Sequence, residues 1–198
     1  MSKVMTGATM SIDGYISGPN ESGFDHLFRW YGNGDVETPT AMPGMTLRTS
    51  KASAEHLREL NERTGALVVG RHLYDATNGW GGRHPMDVPV VVLTHRPPTD
   101  RPVADENFVF VTEGIEAAVA TARELAGDSW VVVNGGTIAR QCLEAGLLDE
   151  IHVDLAPVLL GSGTPFFSEL ATVPVELVGP TRVVEGIGVT HLRYEVVR

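Results

Sequence analysis

The chain has 198 residues, 42% of them hydrophobic and 20% charged, with 15 Lys and Arg against 25 Asp and Glu, a formal net charge of −10. Those figures suit one globular domain and exclude a disordered tail, a collagen-like repeat and a disulfide-stapled miniprotein. The acidic balance speaks against nucleic acid or a membrane as partner, because neutralising phosphates needs a basic face.

A first strand is expected over residues 3–10. Residues 11–49, rich in Gly, Pro, Asn and Thr, hold one short helix near Phe24–Tyr31. Residues 50–63 form a helix with Leu57 and Leu60 on its buried side, a Glu59–Arg63 pair at favourable spacing and Gly65 as C-terminal cap. Ala66–Val69 is an apolar strand, and GRHLYD opens another helix. Val88–Thr94 is a third strand, after which HRPPTDRP breaks any helix. Phe108–Val111 is the fourth. Residues 115–126 place Ile115, Ala118, Val119, Ala122, Leu125 and Ala126 on one helical face. Trp130–Asn134 is the fifth strand, and GGTIARQCLEAG is a helix closed by Gly146. The single cysteine, Cys142, lies in that helix as an inert thiol and excludes an intramolecular disulfide. Glu150–Ala156 is the sixth strand. Val175–Val184 and Val189–Val197 close the chain around a turn at EGIG. In the last of these, Thr190, Leu192, Tyr194 and Val196 alternate with His191, Arg193 and Glu195, as in a half-buried strand.

Strands such as LVVG, VPVVVLT and WVVVN are apolar on both faces, so helices must cover both sides. The fold class is therefore α/β, a three-layer α/β/α sandwich in one domain, its mixed sheet ending in an antiparallel hairpin. The N-terminus lacks an apolar leader and no apolar run is long enough to span a bilayer, so a soluble, cytoplasmic protein is expected.

Ligands of such sheets bind beyond the carboxyl ends of the parallel strands. Three of those ends carry unusual residues: Gly70-Arg71-His72, Thr94-His95-Arg96 and Asn134-Gly135-Gly136-Thr137. Glycines at a strand-to-helix turn let amides approach an anion, and the helix dipole favours negative charge there. Each motif alone also reads as a tight turn or a solvated loop; together they fit a ligand with several phosphates, such as a dinucleotide. No GxGxxG, Walker A, GxSxG or HExxH sequence occurs, and histidine spacing suggests no metal. Asp154 is conspicuous at a strand end: facing inward, its pKa would rise and suit proton transfer, and facing outward it would be hydrated. Asp25 reads as a helix N-terminal charge and Asp13 as a turn residue.

The segments SIDGYISG, LVVGRHLYD, VVVLTH, VVNGGTIARQCLEAGLLDEIHVDLAPVLLGSGTPFF and LRYEVV resemble the dihydrofolate reductase-like superfamily. The resemblance is strongest to stand-alone proteins similar to the reductase domain of riboflavin-biosynthesis deaminase-reductase. It implies an NADPH-dependent reductase passing hydride to a small heterocycle. A 5-amino-6-(5-phosphoribosylamino)uracil-like substrate comes first and a pteridine or folate next. By resemblance, Gly70, Arg71 and His72 hold cofactor phosphates, Thr94, His95 and Arg96 lie at the 2′-phosphate end, and Gly135, Gly136, Thr137 and Ile138 grip the pyrophosphate. Ala8, Thr9 and Ile16 line the nicotinamide, Asp154 faces the substrate, and Asp25 falls near the helix bearing an acidic substrate anchor. A homodimer through the sheet is also implied. The HxE…PCxxC zinc signature of the deaminase half is absent. Segment 19–49 matches no subgroup well, and its Arg29 and Arg48 are candidates to meet an anionic substrate. The competing readings are a non-catalytic nucleotide-binding or regulatory protein and a purely structural dimer.

Overall fold

The computed structural model describes residues 2–99 and 106–197, so part of the helix-breaking HRPPTDRP run lies outside the described residues. Its centre is an eight-stranded sheet. Six strands run parallel: β1 (Val4–Ser11), β5 (Thr64–Gly70), β6 (Val90–Leu93), β7 (Phe108–Val111), β8 (Trp130–Val133) and β9 (Glu150–Ala156). The antiparallel β12 (Val189–Val196) and β11 (Leu177–Gly186) extend the β9 edge, giving the order β11-β12-β9-β1-β8-β5-β6-β7. The expected mixed sheet with a closing hairpin is what forms.

Helices cover both faces because the central strands are apolar on both. Against one face pack α4 (Ile115–Ala126) and α5 (Thr137–Glu144), where Ala118, Ala122, Val68, Val91 and Val131 are fully buried. Cys142 sits in this layer, and burial pushes its thiol up to about 12, so it stays an unreactive apolar group. On the other face, α3 (Arg71–Ala76) sets Tyr74 edge-on to Phe108 and Phe110, ring centroids 5.2 Å apart in each pair. Beside it α2 (Lys51–Arg63) starts at an N-cap in which Ser50 Oγ accepts from the Ser53 amide at 3.2 Å. No described helix is long and apolar enough to cross a membrane.

Four local expectations change. Gly65 does not cap α2; Thr64 does, and Gly65 lies within β5 at a register shift against β8. A Cβ there would come 2.8 Å from the Ala126 backbone, so close packing on α4 is what requires glycine. Leu125 is 42% exposed, because the buried stripe of α4 ends on Ala122 and Ala126. In β12 the polar side of the alternation is not solvated throughout: His191 is 1% exposed, whereas Glu195 at the far end is exposed. Segment 19–49 contains more than α1 (Phe24–Leu27), since β3 (Val36–Pro39) and β4 (Thr46–Thr49) form a separate hairpin. The short strands β2 (Tyr15–Ser17) and β10 (Thr164–Pro165) pair with each other at the sheet's carboxyl edge.

Candidate functional site

A cleft of about 1440 Å³ opens at the carboxyl ends of the parallel strands and continues between α2 and α3. At one end the three predicted strand-end motifs meet. Gly70, Arg71 and His72, Thr94, His95 and Arg96, and Gly135, Gly136, Thr137 and Ile138 all line the cleft, with Ala8, Thr9 and Ile16 from β1 and β2.

The two glycines at the start of α5 have separate reasons. A Cβ on Gly135 would lie 3.2 Å from Ile16 Cδ1, and Gly136 has a φ of +73°, the left-handed region. The Gly136 amide donates to the Phe166 carbonyl at 2.7 Å, so it holds the fold together and is not offered to a ligand. First-turn amides from Thr137 onward have no acceptor within their own helix, and they carry its positive dipole end. Arg71 is a brace more than a free cation: Nε donates to both Asp75 oxygens at 2.8 Å, and Nη1 donates to the Arg96 carbonyl at 2.8 Å. His72 pairs with Glu21 across the mouth. The Thr94 hydroxyl donates to the Arg96 carbonyl at 2.9 Å, fixing the turn that presents His95 and Arg96.

At the other end, Thr9 of β1 stands opposite Asp154 of β9, which stands opposite His191 of β12. Adjacent strands therefore put the three side chains in one row on one face. His191 Nδ1 lies 2.6 Å from Asp154 Oδ1, and its Nε2 lies 2.9 Å from Ser53 Oγ on α2. His56, one helical turn after Ser53, stacks on His191 with centroids 4.1 Å apart, and its Nε2 is 3.5 Å from the same Asp154 oxygen. Trp30 donates from Nε1 to Thr9 Oγ1 at 3.3 Å and lies edge-on to His191. An ionised carboxylate has no proton to donate, so the His191 Nδ1 that bonds it carries one, and in the neutral ring Nε2 accepts from Ser53.

Electrostatics follow from this array. Burial raises the Asp154 pKa, but the hydrogen bonds and charges of His191 and His56 outweigh it and hold the carboxyl at about 2. The raised pKa expected for an inward-facing Asp154 is thus reversed: the carboxyl is an ionised acceptor. Burial, and then the Asp154 charge, push Tyr31 up, so its phenol keeps its proton. His84, on the cleft wall, is pushed down to about 4 by burial.

The ligand atoms of His56, Asp154 and His191 lie within 4.8 Å of one another. His191 Nδ1 and His56 Nε2 both face the one Asp154 oxygen, from rings stacked 21° from parallel. The geometry is that of a hydrogen-bonded array.

Asp25 belongs to neither end. It is exposed on α1, 3.5 Å from His26 Nε2 and outside the cleft lining, because the inward residue of that four-residue helix is Leu27. Asp13 does shape its turn, accepting from the Ser11 hydroxyl beside the Gly14 N–H to Ser11 carbonyl bond, and it also accepts from the amides of Leu160 and Gly161. His56, His191 and Ser53 are the site residues that sequence reading passed over. A signal was there for two of them, since Ser53, His56, Leu57 and Leu60 follow the i, i+3, i+4, i+7 spacing of one helical face.

Comparison with known proteins agrees with this architecture. The uncharacterized protein YwjB of Bacillus subtilis (strain 168) is 28% identical over 105 residues, 52% of this chain and 59% of that protein, so the match spans less than two thirds of its length. A structure from Shewanella sp. PV-4, described under riboflavin biosynthesis, superposes with a TM-score of 0.72 at 22% identity, covering 99% of both chains. Dihydrofolate reductase from Enterococcus faecalis, solved with NADP(H), gives a TM-score of 0.55 at 16% identity over 99% of this chain and 97% of that one. The fold is thus dihydrofolate reductase-like. The model of the RibD C-terminal domain matches residues 2–189, nearly the whole chain, and the protein belongs to that family.

Proposed function

We propose that the protein is a cytoplasmic NADPH-dependent reductase that delivers hydride to a C=N or C=O group of a small heterocycle. One observation carries the reading: a single cleft joins the three strand-end motifs to the Asp154 array, with Ala8, Thr9 and Ile16 at the junction. The residues present fit the cofactor. The α5 N-terminus suits a pyrophosphate, and Arg96 with the Arg71 brace suits the extra 2′-phosphate. When bound, NADPH supplies the hydride.

The chain's own groups do the rest. Ala8 and Ile16 shield the reacting region from water. Asp154 accepts from the imidazoles and, with a substrate present, balances charge on them. His56 is the imidazole of the array that lines the cleft, so it is the group placed to pass a proton to the reduced atom. His191 and Ser53 keep Asp154 in position. The family resemblance offers a ribosylated aminopyrimidine as substrate, then a pteridine. The closing strands, with Val178 and Val183 about half exposed, are the proposed homodimer surface.

NADPH should quench tryptophan fluorescence through Trp80, which lines the cleft, and should bind at least tenfold more tightly than NADH. Gly136→Val, forced into the left-handed region, should weaken NADPH about tenfold, near 1.4 kcal/mol. Equal weak binding of both nucleotides would defeat the cofactor assignment. Tight NADPH binding without oxidation by aminopyrimidine ribosides, dihydropterins or small carbonyls would favour the non-catalytic reading.

A further inference from the structure

We infer that the substrate end of the cleft takes an uncharged, non-phosphorylated planar ring bearing an N–H donor. The inference rests on the proposed function only for which end of the cleft is the substrate's. It parts from the phosphoribosyl compound that the family resemblance ranks first.

The walls are the first reason. Phe24, Phe28 and Tyr31 form a run of near-parallel rings, with Phe28 and Tyr31 centroids 5.2 Å apart and 18° between planes. These three rings line the cleft with Leu47 and Leu57, which pack beside Trp30 next to the Asp154 array. Such a slot favours the faces of a flat, weakly hydrated ligand.

Charge is the second. A phosphate bound away from water needs cationic partners or several convergent amides. Among the described residues, the lysines and arginines that line the cleft are Arg71 and Arg96, both at the strand-end motifs. The two arginines of segment 19–49 are engaged elsewhere: Arg48 pairs with Glu37 at 2.9 Å, and Arg29 Nη2 lies 2.9 Å from His26 Nδ1. Neither lines the cleft. The imidazoles at this end are engaged by other groups: His56 stacks on His191 with its Nε2 3.5 Å from Asp154, His152 bonds the Glu150 carboxylate at 2.9 Å, and burial pushes His84 down to about 4.

The third reason is the floor. Asp154 is a part-buried carboxylate lining the cleft, and its described contacts, the His191 hydrogen bond and the 3.5 Å approach of His56, are both made at Oδ1. A ligand N–H satisfies the remaining acceptor capacity, whereas a ligand phosphate beside it is repelled.

The test uses the full-length chain and three probes: 5,6-diaminouracil, its N6-riboside and that riboside's 5′-phosphate. Affinity is read by calorimetry, without cofactor and again with saturating NADPH. The base and the riboside should bind, and the phosphate should bind at least tenfold more weakly. Equal or tighter binding of the phosphorylated probe, or binding of none of the three, overturns the inference. Leu60→Arg places a cation on the α2 wall of the cleft and should move the preference toward the phosphate by at least tenfold. If that variant fails to fold by circular dichroism, the wild-type series still decides. The two proposals fail separately: loss of NADPH binding sinks the reductase reading while the cofactor-free series stands, and a preference for phosphate sinks the substrate class alone.

Discussion

The two faces of the sheet are built on opposite principles. Under α4 and α5 the contacts are between small aliphatic side chains, and Val4, Ala66, Val68, Val91, Ala118, Ala122 and Val131 are fully buried. Under α2 strands β1, β9 and β12 turn Thr9, Asp154, His152, Glu150 and His191 inward, and a cleft runs where helix packing would otherwise close. Desolvating a carboxylate costs several kcal/mol unless it is paired, whereas burying a valine is favourable by about 1.5–3 kcal/mol. A polar row buried at that cost, beside an open cavity, is what the proposed function assigns to ligand chemistry. The packed face supplies the stability that tolerates it.

The largest effect separating the faces should come from Asp154→Asn. It keeps the shape but removes the charge that holds His191 and His56 in register, so turnover should fall about 1000-fold, near 4 kcal/mol in the barrier. Single-turnover NADPH oxidation measures it, and NADPH affinity should stay within about threefold, a small energy on the tenfold-per-1.4 kcal/mol scale. An equal loss in affinity would mean that Asp154 acts on the cofactor.

Acid should act on the polar face next. The His152 hydrogen bond, reinforced by Lys3, holds Glu150 at about 2 against the 4.5 of an unperturbed glutamate, although burial opposes it. A carboxyl with a depressed folded pKa contributes stability above its unfolded value, and that contribution is lost as pH falls from about 4.5 toward 2. The loss is at most about 3 kcal/mol at 1.36 kcal/mol per unit. Thermal melts of Glu150→Gln should show a flatter decline over that window. A slope equal to wild type would assign acid lability to other carboxylates.

On the packed face, Val68→Ala should do the reverse of Asp154→Asn. Removing two methyl groups from a fully buried strand residue costs about 2 kcal/mol and lowers Tm by about 4–8 °C for a chain of this size. Ligand affinity should not change.

The sequence was most legible where periodicity and burial agree. Phe108–Val111, residues 115–126 and Glu150–Ala156 form over the expected ranges, because apolar spacing alone dictates which side faces inward. The strand-end motifs were legible for a related reason: glycine at a strand-to-helix turn reports a backbone constraint that Gly136 does have. The Asp154 array was not. Its members come from β9, β12 and α2, and only the register that sets Asp154 against His191 brings them together. Ser53 and His56 sat on a buried helical face, but polar residues there look like solvated ones until a partner from another strand is known. Asp25 misled for the converse reason, since a carboxylate near a helix start carries no information about which way a four-residue helix turns.

The smallest effect belongs to Arg71, at the edge where the two faces meet. Its guanidinium bridges Asp75 on its own helix to the Arg96 carbonyl after β6, and its side chain is 35% exposed. Solvent screens such a pair, so Arg71→Ala should leave Tm nearly unchanged, as for most surface ion pairs. What it removes is the brace that holds the Thr94–Arg96 turn beside the cleft. NADPH binding should therefore weaken by at least ~1 kcal/mol, on the scale of a lost charge-assisted contact, and NADH binding by less. Arg71→Lys should not restore it, because an ammonium cannot donate to the Asp75 carboxylate and the Arg96 carbonyl in the same fork. Rescue by lysine would show that charge alone acts here, and the sheet edge would then be an electrostatic site without a positioned one.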